Sequence, residues 1–210
     1  MVKKHLENHY EYYLIGVIVV LLLFNQWQLF NLSSGSGPLD VSNVLPAGMP
    51  SVYGAELGVS YDSISVSNPS LADQTITKIS QFDRSINLEG NDMQRYISVA
   101  SRISCEYCCG AESIIFKNGQ AACGCAHSGA MRGLAKYLIK NHPAEYTDDE
   151  ILEELGKWKT LFFPGIMAQK AAVLKQKGIE LNYINLASNK YRGIEKGATS
   201  SGGGGMVGGC

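Results

Sequence analysis

Two short runs, Cys105-Glu-Tyr-Cys108-Cys109 and Cys123-Gly-Cys125-Ala-His127, place five thiols and one imidazole within 23 residues of a 210-residue chain. Thiolate sulfur and imidazole nitrogen suit zinc, which binds them at about 2.0 to 2.3 Å in a tetrahedron, and copper(I), which accepts fewer ligands. The spacing of 14 between Cys109 and Cys123 falls within zinc-ribbon patterns. The candidate metal ligands are therefore Cys105, Cys108, Cys109, Cys123, Cys125 and His127, and for one zinc the set is Cys105, Cys108, Cys123 and either Cys125 or His127. Cys109 is surplus to that set, and a vicinal thiol pair beside a Cys-x-Cys suits copper(I), so the pattern does not choose between Zn and Cu(I). The same residues allow two other readings. Cys105 and Cys108 could serve a thiol–disulfide oxidoreductase, or the six cysteines could pair as inert disulfides that staple a protein-binding domain.

A β-hairpin is expected to bring the two runs together. Ser113 to Phe116 reads as a strand, Asn118-Gly119 is a strong signal for a type I′ turn, and Ala121 to Cys123 would return alongside. Helices flank this knuckle. Ser70-x-x-Asp73 resembles a capping box, with Leu71, Ile76, Ile79 and Phe82 on one face. A second helix is expected near Asn91, with Met93, Tyr96, Ile97, Ala100 and Ile103 on its buried side. Ser128 can cap a third, whose stripe is Met131, Leu134, Ala135, Leu138 and Ile139, ended by His142-Pro143. Thr147-x-x-Glu150 is a capping box for the next, with Ile151, Leu152, Leu155, Trp158 and Phe162 inward. Asp148, Asp149 and Glu150 in its first turn read as acids offsetting the helix dipole, not as a hard-metal site. A last helix runs from Pro164-Gly165 to about Lys177, with Gly178 as its stop.

Ahead of all this, residues 13–31 are apolar and flanked by tyrosines and Trp27, which predicts a single-pass membrane anchor; a cleaved signal peptide is the main rival. Lys3 and Lys4 would hold the N-terminus in the cytoplasm, leaving the cysteines extracytoplasmic at the cell membrane. The expected organisation is a cytoplasmic N-terminus over 1–12, the anchor, a Ser/Gly linker over 32–37, an extended or mixed region over 38–90, a helical Cys/His domain over 91–187 and a glycine-rich tail over 188–210. The fold class is then mainly α with a small β component, in which a transmembrane helix precedes a helical domain built around the Cys/His hairpin. The tail carries Met206 and Cys210, two soft ligands that a flexible chain could return to the cluster, which makes Cys210 a further candidate ligand.

Lys plus Arg total 18 against 19 acidic residues, so nothing favours phosphate neutralisation and nucleic acid is not an expected partner. No GxSxG, HExxH or Walker-type motif occurs, and the chain reads more as a binding protein than an enzyme. The expected partners are the membrane, through residues 13–31, and a protein that donates or accepts metal.

Three resemblances attach to these residues. Cys123-Gly-Cys125 followed by His127 is similar to the core of extracytoplasmic bacterial proteins named for a PCYCGC motif, with Ala121 and Ala122 in place of Pro and Tyr; that likeness implies metal binding. Cys105-Glu-Tyr-Cys108, Ala130-Met131-Arg132 and Asp148-Asp149-Glu150-Ile151 resemble the thiol-reductase domain of cytochrome c maturation proteins, which implies redox work for Cys105 and Cys108. The segment from Cys123 to Ser128 also resembles archaeal membrane proteins sharing a CGCAHS-type stretch.

Overall fold

The computed structural model describes residues 2–34, 44–196 and 205–209. The chain divides into two units, Met1–Leu39 and Asp40–Cys210.

The first unit is one helix, α1 (Val2–Ser34). Its side chains from Leu14 to Phe24 are exposed. The expected membrane anchor over 13–31 is corrected here: among the described residues no helix is long and apolar enough to cross a membrane. The physical reason lies in the interruption at Asn25, Gln26 and Gln28. At 1.5 Å per residue the unbroken apolar run rises about 16 Å, roughly half a hydrocarbon core. The cell-membrane location and the cytoplasmic and extracytoplasmic sides inferred from that anchor fall with it.

The second unit is helical. It comprises α2 (Gly54–Leu57), α3 (Pro69–Ser85), α4 (Gly90–Ala100), α5 (Ala126–Asn141), α6 (Asp148–Phe162), α7 (Pro164–Gln176) and α8 (Tyr183–Ala187). Helix α5 is the centre, and its whole expected stripe from Met131 to Ile139 is buried between α3, α4 and α6. Glycine at 133 permits the close crossing of α3, since a Cβ there would collide with the Ile79 carbonyl oxygen. Helix α6 starts at the expected capping box, with Thr147 accepting from the Glu150 N–H and the Glu150 carboxylate accepting from the Thr147 N–H at 2.7 Å. Its acids are used locally: Asp148 pairs with Arg95 at 2.6 Å and Asp149 with Arg102 at 2.7 Å. Tyr53, Val59, Tyr61 and Ile64, from the loop-rich segment before α3, join the core.

Two caps differ from expectation. Asn68, followed by Pro69 at the first helical position, caps α3 by accepting from the Leu71 N–H at 3.2 Å, so the helix begins before Ser70. Helix α5 is capped by the thiol of Cys125 and not by the Ser128 hydroxyl.

The β component is also corrected. The described residues contain no strand, only isolated antiparallel bridges between Ile103 and Ser188 and between Ile115 and Ala121. Gly119 adopts a positive φ of 82° at the expected turn, but Asn118 does not have a positive φ, so the turn is not the expected type I′. A ladder fails to grow because Ile114 and Ile115 are both buried, which breaks the alternation a strand needs. The Ile114 N–H goes instead to the Ile103 carbonyl at 3.0 Å, and Ser113 Oγ bonds both the N–H and the carbonyl of Ile115. The knuckle is thus a loop tied to the end of α4, not a hairpin.

Candidate metal and thiol site

The loop from Cys105 to Cys123 lies over the N-terminus of α5, and that placement decides which thiols meet. Cys125 is the N-cap of α5, its sulfur accepting from the Ser128 N–H at 3.4 Å and contacting Ser128 Oγ at 3.3 Å. The Cys105 sulfur sits 3.5 Å away, on a residue only 1% exposed. The hydrogen bond from the Cys105 thiol, supplemented by His127 and Ser128 and opposed by burial, draws Cys125 strongly toward the thiolate. The same bond, with burial, pushes the Cys105 thiol up.

His127 occupies the first turn of α5, is fully buried and packs against Phe162 and Phe163, with ring centroids 4.7 and 5.2 Å apart. Its Nε2 lies 2.7 Å from the Val207 carbonyl oxygen. A carbonyl only accepts, so Nε2 carries the hydrogen, and Nδ1 is the ring nitrogen that could serve as a metal ligand. Val207 is itself buried, its N–H bonded to the Phe162 carbonyl at 2.9 Å, and Gly209 N–H donates to Asp73 Oδ1 at 3.0 Å.

Two groups of potential ligands result. One ligand atom from each of Cys105, Cys125 and His127 falls within 4.8 Å of the others, and the same holds for Cys109, Cys123 and Cys125. Cys109 and Cys123 form a disulfide, with their Cα atoms 6.7 Å apart. Cys108 stands outside both groups and is not a free thiol; its backbone hydrogen-bonds to the Cys105 sulfur. The expected pairing of Cys105 with Cys108 is thus replaced by Cys105 with Cys125. Cys210 lies outside the described residues. These cysteine and histidine groups are compatible with a metal ion.

Several supporting residues carried no signal as candidate sites in the sequence. Arg132 donates to Asp83 Oδ2 at 2.7 Å and to the Cys123 and Ile114 carbonyls at 2.8 and 3.2 Å. Arg192 holds the other arm, donating to the carbonyls of Gly110 and Ala111 at 2.8 and 2.9 Å. Glu106, at a positive φ of 61°, accepts from Lys159 Nζ at 3.2 Å and Gly193 N–H at 2.8 Å, with Lys170 Nζ at 3.9 Å. Burial raises the Glu106 carboxyl, but the two ammonium groups outweigh it and bring it below its ordinary value. Burial lowers Lys159 to about 8 and also lowers Lys170, Glu106 opposing both. A non-glycine residue in the left-handed region costs about 1 to 2 kcal/mol, and here it aims a carboxylate at two buried cations. The only hint in the sequence is a lysine or arginine set among apolar residues, at Arg132 in α5 and at Lys159 in α6.

Compared with known proteins, the chain matches no family model, no curated protein and no solved structure.

Proposed function

We propose that this chain is a metal-binding protein that holds zinc or copper(I) on Cys105, Cys125 and His127, as a carrier or scavenger exchanging the ion with a donor or acceptor protein. The observation that supports it is the convergence of two thiols and one oriented imidazole at the buried start of α5. Two sulfurs on one tetrahedral ion at about 2.3 Å would stand about 3.8 Å apart. The 3.5 Å between Cys105 and Cys125 is close to that spacing. A histidine whose other ring N–H is fixed by a carbonyl is the usual arrangement for a metal ligand. Three ligands leave a position open, which suits hand-over to a partner more than a closed structural site.

The test is elemental analysis of the full chain, purified without chelator and titrated with zinc or, anaerobically, copper(I). One ion per chain is expected, lost in Cys105→Ser, Cys125→Ser and His127→Ala. Retention of the full metal content in those three variants would sink the reading.

A second reading is favoured by one observation: the Cys109–Cys123 disulfide has the Cys125 sulfur within 4.8 Å. A thiolate beside a disulfide is the starting geometry for thiol–disulfide exchange, so an oxidoreductase would act through Cys125 and not through the Cys105/Cys108 pair. Metal-free protein that reduces a disulfide substrate, with loss in Cys125→Ser, would favour this alternative.

A further inference from the structure

We infer that the Cys109–Cys123 disulfide masks a second metal position, opened by reduction and sharing Cys125 with the first. The inference rests on the metal-binding reading above and adds a redox-controlled second ion to it. Cys109, Cys123 and Cys125 place their sulfurs within 4.8 Å of one another, and the ligand atoms of Cys105, Cys125 and His127 form a second group of the same reach that shares Cys125. A thiolate has lone pairs for two ions, so Cys125 can bridge.

For the position to exist after reduction, the two released sulfurs must stay where the disulfide held them. The backbone on each side is secured independently of the S–S bond. On the Cys123 side, Arg132 bonds the carbonyls of Cys123 and Ile114 and is anchored by Asp83. The Ala122 N–H adds a bond to the Ile114 carbonyl at 3.2 Å. On the Cys109 side, Arg192 bonds the next two carbonyls, Gly110 and Ala111, and also reaches Ser104 Oγ at 3.4 Å. Reduction therefore yields a preset thiol pair instead of an open loop.

Access is one-sided: Cys109 is exposed whereas Cys123 is buried, so an incoming thiol meets the Cys109 sulfur first. A dithiol reductant attacks that sulfur, the Cys109–Cys123 bond breaks, and the Cys123 thiolate leaves and takes a proton. The reductant's second thiol then closes its own disulfide and releases Cys109. Two electrons and two protons pass to the protein, and a zinc ion entering the position displaces the protons of the two new thiols.

The full chain, prepared oxidised and then reduced with a phosphine under anaerobic conditions, is titrated with zinc alone, and zinc per chain is measured beside alkylation mapping of each cysteine. The expected result is a two-fold rise, from one ion to two, in step with alkylation of Cys109 and Cys123. Cys109→Ser should keep one ion in both states, and Cys108→Ser should retain the rise. One ion in both states with Cys109 and Cys123 shown reduced overturns the second position and leaves the first. A rise that survives in Cys109→Ser, or disappears in Cys108→Ser, overturns it as well. No ion in either state removes the metal reading itself.

Discussion

The Nε2 atom of His127, at the start of α5, lies 2.7 Å from the carbonyl oxygen of Val207, 80 residues later in the chain. The glycine-rich end thereby reaches the candidate site, where the Val207 carbonyl can only accept and so requires the hydrogen on Nε2 of His127. Gly208 follows with a φ of 85°, and a Cβ at that position would run into the Ile76 side chain. Deleting residues 205–210 should therefore lower zinc affinity by about 10- to 100-fold, the usual cost of losing an outer partner of a ligand. Gly208→Ala should move it in the same direction. Competition with a chromophoric chelator measures the affinity, and circular dichroism checks that the helices remain. Unchanged affinity in both variants would show that Val207 does not orient His127.

Arg132 should prove the main fixed point of the Cys123 arm. Arg132→Met strands the Asp83 carboxylate, which keeps only Lys136 at 3.1 Å, and leaves the Ile114 and Cys123 carbonyls without their guanidinium. Breaking a buried pair in this way costs about 3 to 5 kcal/mol. Urea unfolding of the metal-free protein reads the loss directly. An unfolding midpoint within error of wild type would contradict the role.

What could be read from the sequence divides along physical lines. The stripes of α5 and α6 and the Thr147 capping box follow from local periodicity and short-range hydrogen bonding, and all of their inward residues are buried. The α5 cap was missed because capping preferences favour oxygen acceptors, and here a thiol does the work. The Asn118-Gly119 signal specified a turn but not a ladder, since pairing also needs alternating burial that Ile114 and Ile115 lack. For the site, residue types and crowding singled out Cys105, Cys109, Cys123, Cys125 and His127, which the structure gathers into two groups, whereas Cys108 stands outside both and Cys210 outside the described residues. Their partition did not follow, because whether Cys105 faces Cys108 or Cys125 depends on how α5 docks beneath the loop. The apolar run in α1 suggested a span, but the amides after Phe24 cut it short. Lys159, Lys170 and Glu106 meet only through tertiary packing, so no local pattern announces them.

Lys159 makes the stability of this protein depend on alkaline pH. Its folded pKa of about 8 lies below the unfolded value of 10.5. Between those values the unfolded chain binds a proton that the folded chain does not, so the contribution of this group to stability rises with pH across that window. Below it the lysine is charged in both states, and above it neutral in both. The wild-type stability minus that of Lys159→Met should therefore increase from pH 8 toward pH 10.5. Urea midpoints for the two proteins at several pH values give the slope, and a flat difference would refute the assignment. At neutral pH the same variant should lose about 3 to 5 kcal/mol, because Glu106 is left buried beside only the more distant Lys170.

The segment before α3 is tied to α6 by a network that should behave as a unit. Glu154 Oε2 accepts from Tyr53 at 2.7 Å and from Tyr61 at 2.5 Å, while Trp158 Nε1 donates to the Tyr53 hydroxyl at 2.6 Å. Lys157 completes the carboxylate on its other oxygen at 2.8 Å. Burial pushes both phenols well above the usual tyrosine range, with Glu154 adding to the shift, so both remain donors through ordinary alkaline pH. Tyr53→Phe removes one donor from Glu154 and the acceptor of Trp158, and a buried group left unsatisfied costs about 1 to 3 kcal/mol. Tyr61→Phe removes only a donor and should cost less. With both hydroxyls gone, Glu154 keeps Lys157 alone, so the double variant should differ from the sum of the single losses by at least about 0.5 kcal/mol. A double-mutant cycle by urea unfolding measures that coupling. Strict additivity would mean that the two tyrosines act separately and that the N-terminal segment is held by burial alone.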